Sequence, residues 1–537
     1  MFLCTASVPN IVLYLADDLG VGEINQQSPE WSWAPSSKTY KRVRAANRIQ
    51  TPTLEQMAKE GKRFLRSYAS SSVCGPSRHS ILTGIQVGNN TVRGMGQNKG
   101  DDDSSDDDLM TGRTTIAQVL QNGAGYSTLA VGKWGVTSEY NSSGSPCKNG
   151  FDSFFGYFKH ADAGSSFPTV IRSCNKFDPD NIGETLYPEN EDASQEKCLN
   201  TGVCTFSERE FRKTALDFVA TAVTPFFLYW ATTAPHSAFF ENDLVKQQNC
   251  IEKTHPVPDF GPYSVSRLTN ANIVKAGHKA MVTLTIDKDM EFLLAALRVR
   301  GIENDTLIVF ASDNGAHKAA YSDRRYDPNR YFTAGAGMQG IKRGMYEGSL
   351  RSPTLFWYPS VIPPGSSSTF PTMHYDLALT LAQFAEIDSE SAVLDPLKTE
   401  RAGGVSIYDV CVSTSDKSLV KSGKTPSRMW IYSELCHMRG GRVRKGRRCP
   451  NPWSPVAGCV WAVYQVNTWP KVVLKMMKQY PNDRPRLYNV LADPLERRNL
   501  GRSSRYRKVL TKLQGFRDEA RTTFCSPAFN EPTCVIN

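Results

Sequence analysis

The sequence predicts an α/β fold in which helices sandwich a large, mostly parallel β-sheet, followed by a smaller C-terminal unit of antiparallel sheet and helix. Two observations carry this prediction. Up to about residue 410, continuous apolar runs alternate with amphipathic helical segments. Beyond that point, shorter strand-like segments precede a charged helical stretch. We therefore expect two domains, residues 1–410 and 411–537.

The predicted strands of the large sheet are apolar runs that end in polar or glycine-rich sequence. The first, at residues 9–16, leads into Asp17 and Asp18. Such unbroken runs are typical of strands buried on both faces of a parallel sheet. Ligands bind beyond the carboxyl ends of parallel strands, so a site is expected there. Further runs of this kind lie at 127–131, 225–231 and 306–311.

Helical segments lie between these runs. Thr51 as a cap, Pro52 at the first helical position and Gly61 beyond the last turn predict one helix. Another is predicted at 282–300. In the C-terminal unit, the predicted elements are two strands and one long helix, at 429–434, 460–466 and 503–521.

The charge of the chain favours anionic partners. Lys and Arg number 63 against 53 Asp and Glu, which gives a net charge of +10. The basic residues concentrate at 439–448 and at 497–508. These basic residues could form a solvated surface or could bind a polyanionic substrate, and both interpretations stay open. A nucleic-acid partner is not expected. No apolar run approaches the roughly 18 residues that span a bilayer, so no membrane span is expected.

Cysteines and sequons favour the secretory pathway, either lysosomal or extracellular. The chain has 13 cysteines, and sequons occur at Asn89, Asn141 and Asn304. Residues 1–4 are too short for a complete signal peptide, so none is visible in this chain. With Cys74 set aside, twelve cysteines can pair fully, although a few free buried thiols remain possible. The acidic run at 101–108 is interpreted as a solvated loop.

The strongest chemical signal is Cys74-Gly75-Pro76-Ser77-Arg78, followed by Leu82-Thr83-Gly84. Pro76 suits a first helical turn and Gly84 suits a helix end. Cys74 is therefore expected at a helix N-terminus, where free N–H groups and the helix dipole favour anions. Taken alone, this pattern fits a reactive thiol, an anion site or a buried structural cysteine.

This segment resembles the signature of the sulfatase family, the formylglycine-dependent, arylsulfatase-like branch of the alkaline phosphatase superfamily, in which the cysteine is oxidised to formylglycine. The resemblance implies an alkaline-phosphatase-like fold, hydrolysis of sulfate esters and a formylglycine-generating enzyme as a partner. Sulfated carbohydrate is the expected substrate, and aryl sulfates are the expected assay substrates. The other motifs that carry the resemblance cover nearly the whole chain in the expected order: Asp17-Asp18, Gly132-Lys133-Trp134, Ala234-Pro235-His236, Ser312-Asp313-Asn314-Gly315, Gly340-Ile341-Lys342, Tyr346-Glu347-Gly348, Leu487-Tyr488-Asn489 and Asp493-Pro494-Leu495-Glu496.

A metal site is expected where two of these motifs meet. Asp17, Asp18, Asp313 and Asn314 offer only oxygen ligands, which select a hard cation such as calcium or magnesium over zinc. The two pairs follow two predicted strands and are expected to converge on one crevice. By the resemblance, the ion is calcium, with magnesium possible, and the modified Cys74 is a further ligand. The ion would hold the hydrated aldehyde and a sulfate oxygen.

The resemblance also assigns catalytic roles. Arg78, Lys133 and Lys342 surround the sulfate and the hydrated aldehyde, where fixed positive charge stabilises an anionic transition state. His236 lies near the ester oxygen as an acid or hydrogen-bond donor. Lys133, His236 and Lys342 are thus expected to bind substrate. In the implied cycle, one hydroxyl of the hydrate attacks sulfur and expels the alcohol, and the second loses a proton as sulfate is eliminated.

Two positions depart from the family. Most relatives have a His after Gly-Lys-Trp, and it assists the second proton transfer, whereas Gly135 stands here. His160 is the candidate substitute. Ser349 replaces a common Gly, and only a slight shift of its loop is expected. Two alternatives to an active sulfatase therefore stay open: a catalytically impaired relative that binds sulfated glycans, and a phosphoester or phosphonate hydrolase of the same superfamily.

Overall fold

The structure is a computed structural model, and it describes residues 8–24, 36, 38, 41, 49–89, 112–137, 140, 143–164, 166–191, 205–236, 285–317, 333–398, 403–428, 430–436, 459–466, 469–479 and 484–522. The basic group at 439–448, the acidic run at 101–108 and Asn141 lie outside these residues.

The strands, numbered in chain order, are β1 (Asn10–Ala16), β2 (Lys62–Phe64), β3 (Ser67–Tyr68), β4 (Ser127–Lys133), β5 (Ser153–Tyr157), β6 (Val170–Asn175), β7 (Asp178–Leu186), β8 (Phe226–Ala231), β9 (Thr306–Ser312), β10 (Thr354–Trp357), β11 (Ser366–Ser368), β12 (Thr372–Met373), β13 (Trp430–Cys436), β14 (Cys459–Gln465), β15 (Leu474–Lys478) and β16 (Arg486–Asn489). The α-helices are α1 (Pro52–Glu60), α2 (Cys74–Thr83), α3 (Ile116–Ala124), α4 (Ser207–Thr221), α5 (Lys288–Arg300), α6 (Glu347–Leu350), α7 (Leu377–Phe384), α8 (Asp395–Lys398), α9 (Tyr408–Val412), α10 (Asp416–Ser422) and α11 (Arg507–Thr522).

The large sheet has ten strands in the order β11-β2-β10-β9-β1-β8-β4-β5-β6-β7. Its centre, from β9 through β1, β8 and β4 to β5, is parallel. Antiparallel strands flank the centre, because β10 pairs with β9 and β6 pairs with β5 in opposite directions. The predicted mostly parallel sheet is therefore confirmed.

Both faces of the central strands are buried, which explains their unbroken apolar sequence. In β1, Ile11, Leu13 and Leu15 join one core cluster. Val12, Tyr14 and Ala16 join the other. Helices α2, α3 and α7 supply the first cluster, and α1, α4 and α5 supply the second. Each fully buried large aliphatic side chain contributes about 1.5–3 kcal/mol to stability, so this two-sided core holds the strand ends in place.

Helix α1 begins at Pro52 and ends before Gly61, as predicted, but its cap differs. The Thr51 side chain makes no capping hydrogen bond. Instead, the Asp287 carboxylate accepts from the N–H groups of Thr53 and Leu54, at 3.2 and 2.9 Å. A carboxylate from a distant part of the chain thus satisfies the first free donors of the helix.

The C-terminal strands form a separate antiparallel sheet in the order β13-β14-β15-β16. Helix α11 packs on it through Leu513, Phe516 and Ala520. The helix begins at Arg507 rather than 503, because two short 3₁₀ turns, Leu500–Arg502 and Ser504–Tyr506, precede it. The predicted sheet-plus-helix unit is present, and the division of the chain at residue 410 stays a prediction.

The four cysteines whose side chains the structure describes fall into two classes. Cys147 and Cys174 form a disulfide. Cys74 and Cys411 are buried free thiols, so Cys411 is an exception to complete pairing of the other twelve. Among the sequons, Asn304 is exposed, whereas Asn89 is buried in the folded chain and offers no site for a glycan. Within the described residues, no helix has both the length and the apolar character of a membrane span.

Candidate active site

Four neighbouring strands bring their carboxyl ends to one edge of the large sheet. Asp17 follows β1, Asp313 follows β9, Lys133 ends β4, and His236 lies after β8. Backbone hydrogen bonds fix these ends to each other. The Asp17 N–H donates to Ala234 O, and the Asp313 N–H donates to Ala16 O, both at 3.0 Å. The convergence that the sequence predicts is therefore present, and it rests on strand register.

Cys74 lies at the centre of this edge. It is the first residue of α2, and Gly84, in the left-handed conformation with φ of 68°, ends that helix. The thiol is fully buried. Its Sγ atom lies 3.3 Å from Asp17 Oδ1, 3.9 Å from Asp18 Oδ1 and 3.1 Å from Lys342 Nζ. Residue 74 thus meets carboxylates and an ammonium group together.

Three buried cations pair with three buried carboxylates around Cys74. Lys133 Nζ lies 2.7 Å from Asp17 Oδ2. Lys342 Nζ lies 2.8 Å from the Asp18 carboxylate. Arg78 Nε lies 3.0 Å from Asp313 Oδ2, and Arg78 Nη1 donates to the Lys133 carbonyl at 2.7 Å. Opposite charges this close in a buried site offset part of the large desolvation cost of each group.

The acidic groups fit a hard cation. Ligand atoms of Asp17, Asp18, Asp313 and Cys74 all lie within 4.8 Å of one another. Asn314 Nδ2 donates to Asp18 Oδ1 at 2.6 Å, while Asn314 Oδ1 is buried and has no hydrogen-bond partner among the described residues. A buried acceptor without a donor beside three carboxylates is a suitable position for calcium or magnesium.

The carboxylates differ in how readily they lose a proton. Burial alone would raise the pKa of Asp17, but Lys133, His236 and Arg78 hold that pKa well below its usual value. For Asp18, Lys342 overcomes burial and holds the pKa at about 2. Burial and the neighbouring Asp17 charge raise the pKa of Asp313 to about 7. The protein's own cations therefore do not fully compensate the third carboxylate, which supports a cation-binding site here.

Two histidines face the Asp18 carboxylate. His236 Nε2 lies 3.4 Å from Asp18 Oδ2, and His317 Nδ1 lies 3.8 Å from the same oxygen. The two rings stack, with centroids 5.5 Å apart and planes 17° apart. Sequence reasoning missed His317. The sequence feature that could have identified His317 is its position, three residues after Asn314 in the loop that follows β9.

The site described above lies within a recognised family match. Residues 9–387 match the family model described as Sulfatase. The chain belongs to the sulfatase family. A curated relative, N-acetylgalactosamine-6-sulfatase of Sus scrofa, is 28% identical over 399 residues, which are 71% of this chain and 63% of that protein. The chain spans about three fifths of the length of the curated relatives of this name that it matches.

Solved structures share the fold over nearly the full length. Ps i-CgsB in complex with k-i-k-neocarrahexaose has a TM-score of 0.63 at 20% identity, covering 96% of this chain and 93% of that chain. A protein in complex with its substrate, D-glucosamine-2-N,6-O-disulfate, has a TM-score of 0.59 at 17% identity, covering 98% and 99%. The predicted α/β fold class, a large mostly parallel sheet with a smaller C-terminal antiparallel sheet, is therefore confirmed.

The position of the missing family histidine is open in this chain. Gly135 has φ of 69°, a conformation that favours glycine. A Cβ atom at this position would lie 3.5 Å from Lys133 Cε and 3.7 Å from Arg78 Cδ, at ordinary contact distance. A side chain at residue 135 would therefore begin beside Lys133 and Arg78. The replacement of the family histidine by Gly135 thus removes an imidazole from the site itself.

His160 lies within the electrostatic field of Lys133 and Lys342. It follows β5, which pairs with β4, and its Nδ1 atom is buried with no hydrogen-bond partner among the described residues. Burial, followed by the charges of Lys133 and Lys342, lowers the pKa of His160 well below its usual value. A neutral imidazole within the field of both lysines is compatible with the substitute role.

Two residues of the family motifs, Glu347 and Glu496, contact Lys475, and we call these three residues the buried clamp. Lys475 Nζ lies 3.0 Å from Glu347 Oε1 and 2.8 Å from Glu496 Oε1. Glu496 Oε2 accepts from the Glu347 N–H at 2.7 Å. Lys475 belongs to β15, so this clamp joins the C-terminal sheet to the segment that carries Lys342.

That segment is also fixed on its active-site side. The Lys342 N–H donates to Ala316 O and the Arg343 N–H donates to Ser72 O, both at 2.9 Å. On the opposite side, Gln479 Oε1 accepts from the Met345 N–H at 2.8 Å. Lys342 is therefore held between the C-terminal sheet and the backbone that leads to Cys74.

Ser349, the second departure from the family, fits its surroundings. It lies within α6, and its backbone is not among the left-handed positions. A Cβ atom at Gly340 would lie 2.3 Å from Ser349 Oγ, and a Cβ atom at Gly344 would lie 2.5 Å from it, so a side chain at either position would clash with the serine. The two glycines thus accommodate the serine without a left-handed residue at 349.

Proposed function

We propose that this chain hydrolyses sulfate esters of carbohydrates at the Cys74 site. The observation that carries the proposal is the position of Cys74 Sγ, 3.3 Å from Asp17 Oδ1 and 3.1 Å from Lys342 Nζ, inside a buried set of paired cations and carboxylates. Membership of the sulfatase family supports the reaction class. The relative named N-acetylgalactosamine-6-sulfatase and the fold neighbour bound to a sulfated glucosamine support a sulfated sugar as substrate.

An unmodified Cys74 is poorly suited to attack sulfur. Burial and the Asp17 charge raise the pKa of its thiol well above the usual value, and the thiolate is the reactive form of cysteine. We propose that a formylglycine-generating enzyme converts Cys74 to formylglycine. That group supplies, when hydrated, a hydroxyl nucleophile and a second hydroxyl through which sulfate can leave.

The metal proposal rests on the oxygen donors. Asp17, Asp18, Asp313 and Asn314 would hold calcium, with magnesium as the alternative, and the ion would supply Lewis-acid stabilisation of negative charge. Lys133 and Lys342 present ammonium groups at the same edge, where they would bind sulfate oxygens. Arg78 is fully buried and fixed between Asp313 and the Lys133 carbonyl, so its main effect would be to position those two residues.

His236 would act at the leaving oxygen. Burial and the Lys342 charge lower its pKa to about 4, so the ring is neutral near pH 7. A neutral ring can donate one hydrogen bond to the ester oxygen, which favours the donor role over that of a protonated acid. His160 would accept the proton in the second step, in place of the family histidine that Gly135 lacks.

The compartment is also a proposal. The Cys147–Cys174 disulfide supports an oxidising, secretory environment, lysosomal or extracellular.

The proposal is tested by mass spectrometry of the peptide that contains Cys74, from protein made in a secretory host, together with turnover of an aryl sulfate. Cys74→Ala is the control. We expect formylglycine at residue 74, and sulfate release that exceeds phosphate release from the matching aryl phosphate. Formylglycine without turnover, or no modification in a host that modifies other sulfatases, would support the glycan-binding alternative. Faster phosphate release would support the phosphoester hydrolase.

A further inference from the structure

The surface of residues 497–512 is strongly basic, and we call it the basic strip. It contains no Asp or Glu. Its exposed cations are Arg497, Arg498, Arg502, Arg505, Arg507, Lys508 and Lys512.

These cations lack acidic partners in the described part of the chain. None of them forms an ion pair there. The two acidic residues that precede the strip are already engaged. Asp493 accepts from the backbone N–H groups of Arg497 and Arg498, at 3.1 and 2.8 Å, and Glu496 belongs to the buried clamp. The positive charge of the strip is therefore directed to solvent without local compensation.

The strip lies on ordered backbone. Asn499 Oδ1 accepts from the N–H groups of Leu487 and Gly501, at 3.1 and 3.0 Å, which ties the first 3₁₀ turn to β16. Helix α11 is anchored on the C-terminal sheet through its buried apolar side chains. Because the backbone is already fixed, binding of a partner would not bear the entropy cost of ordering it.

The strip begins next to the segment that carries Lys342. Gln339 Nε2 donates to Leu495 O at 2.9 Å and to Glu496 O at 3.0 Å. Arg497 is therefore one residue from a direct contact with the 339–342 stretch. A long ligand held on the strip would keep its other units close to the molecule and raise their local concentration.

We propose that the basic strip binds a sulfated polysaccharide chain, so that the substrate of the Cys74 site is a segment of a polymer. This inference rests on the proposed function, because it assumes that the site acts on sulfated carbohydrate. Five of the seven cations are arginines, and the guanidinium fork matches the oxygens of tetrahedral oxyanions.

Two features favour a polysaccharide over other polyanions. Single-stranded nucleic acid needs free aromatic faces for base stacking. Tyr506 is the aromatic residue of the strip, and the Arg505 guanidinium already lies 5.8 Å from its ring centroid. Membrane-surface segments insert large apolar side chains. Within 497–512, no large apolar side chain is prominently exposed.

The test compares three forms of the full chain on immobilised heparin and in solution with an aryl sulfate. In the strip variant, Arg502, Arg505, Lys508 and Lys512 are replaced by Gln. The matched control removes the same charge from exposed lysines elsewhere, through Lys398→Gln, Lys417→Gln, Lys421→Gln and Lys424→Gln. The aryl sulfate carries no polymer chain, so its kcat/KM reports turnover at the Cys74 site without a contribution from polymer held on the strip.

We expect the strip variant to lose at least about tenfold in heparin affinity. The slope of log Kd against log salt should also fall by about three, because a variant that has lost four charged contacts releases fewer counterions on binding. The control should bind as the wild type does, and all three forms should turn over the aryl sulfate equally. Equal loss in control and strip variants, or no loss in either, would overturn the inference. Tighter binding of DNA or anionic vesicles than of heparin at equal salt would also overturn it. Failure of the proposed function appears separately, as absent aryl sulfate turnover with heparin binding intact.

Discussion

Lys475 donates a hydrogen bond to Glu347, with 3.0 Å between Nζ and Oε1, and so links the C-terminal sheet to the segment that carries Lys342. Both side chains are fully buried. The Glu347 carboxylate also accepts from Tyr68 and Tyr464, at 3.0 and 3.1 Å. Removing one partner from such a buried group leaves charge without compensation, which destabilises more than the pair itself stabilises.

We therefore expect Lys475→Met to lower the free energy of unfolding by about 3–5 kcal/mol, measured by urea denaturation. The control is Lys471→Met, in the exposed turn that precedes β15. Similar unfolding midpoints for the two variants would show that the buried clamp does not stabilise the fold.

His160→Ala should lower kcat by about 10²-fold, the usual contribution of a positioned acid or base. The slow step should be the release of sulfate, because His160 is assigned to the second proton transfer. Mass spectrometry of the residue-74 peptide should then show sulfate retained during turnover. Adding Gly135→His to this variant should restore part of the rate, since a side chain at 135 starts beside Lys133 and Arg78. An unchanged kcat in His160→Ala would remove the residue from the mechanism.

Gly135→His alone should cost about 1–2 kcal/mol in stability, because residue 135 has φ of 69°. Gly135→Asn should cost less, since Asn tolerates the left-handed conformation better. Thermal unfolding of the two variants would measure the difference in stability. If both variants were as stable as the wild type, the backbone at residue 135 would have to relax to a conformation that side chains readily adopt.

His317 should contribute to substrate binding through its ring nitrogen. We expect His317→Ala and His317→Phe each to lower kcat/KM by about tenfold, which corresponds to the loss of a hydrogen bond of about 1.4 kcal/mol. The Phe variant keeps a ring to stack on His236, so it separates the nitrogen from the stacking. Wild-type kcat/KM in the Phe variant would assign His317 to ring packing alone.

Glu208 should give the protein a pH-dependent stability. Burial raises the pKa of this carboxyl from about 4.5 to about 7, although Thr232 and Thr233 donate to it. The folded state holds the proton more tightly than the unfolded state does. The free energy of unfolding should therefore fall as pH rises from about 4.5 to 7, by about 3 kcal/mol in all. Glu208→Gln should flatten this dependence in urea titrations at pH 5 and pH 7.5, and Glu210→Gln, on the next position but one of α4, should keep it.

Calcium should stabilise the folded chain. Binding to Asp17, Asp18, Asp313 and Asn314 would add about 2.7 kcal/mol at one hundred times the Kd. The measurement is Tm against calcium and, separately, magnesium, after removal of metal with a chelator. Asn314→Ala should weaken the response. A Tm independent of both ions would contradict the metal site.

The parts of the site that the sequence predicts are those that follow from local hydrophobic patterns. Asp17, Lys133 and Asp313 follow apolar runs, and parallel strands align their carboxyl ends, so their convergence follows from elements that are each visible alone. The buried clamp has no such pattern, because Glu347 meets Lys475 and Glu496 only through the packing of the C-terminal sheet. Asp287 caps α1 across more than two hundred residues for the same reason. His317 is a single residue in a loop, without a periodicity that could place it.

The buried clamp also bears on the order in which the site is completed during protein synthesis. Asp17, Asp18 and Lys342, the residues whose side chains contact the Cys74 thiol, are all synthesised before Lys475 and Glu496 leave the ribosome. Until those last residues arrive, the segment that carries Lys342 lacks the anchor that Lys475 and Glu496 provide. Synthesis of the C-terminal sheet thus completes the support of Lys342, one of the three side chains that contact the thiol.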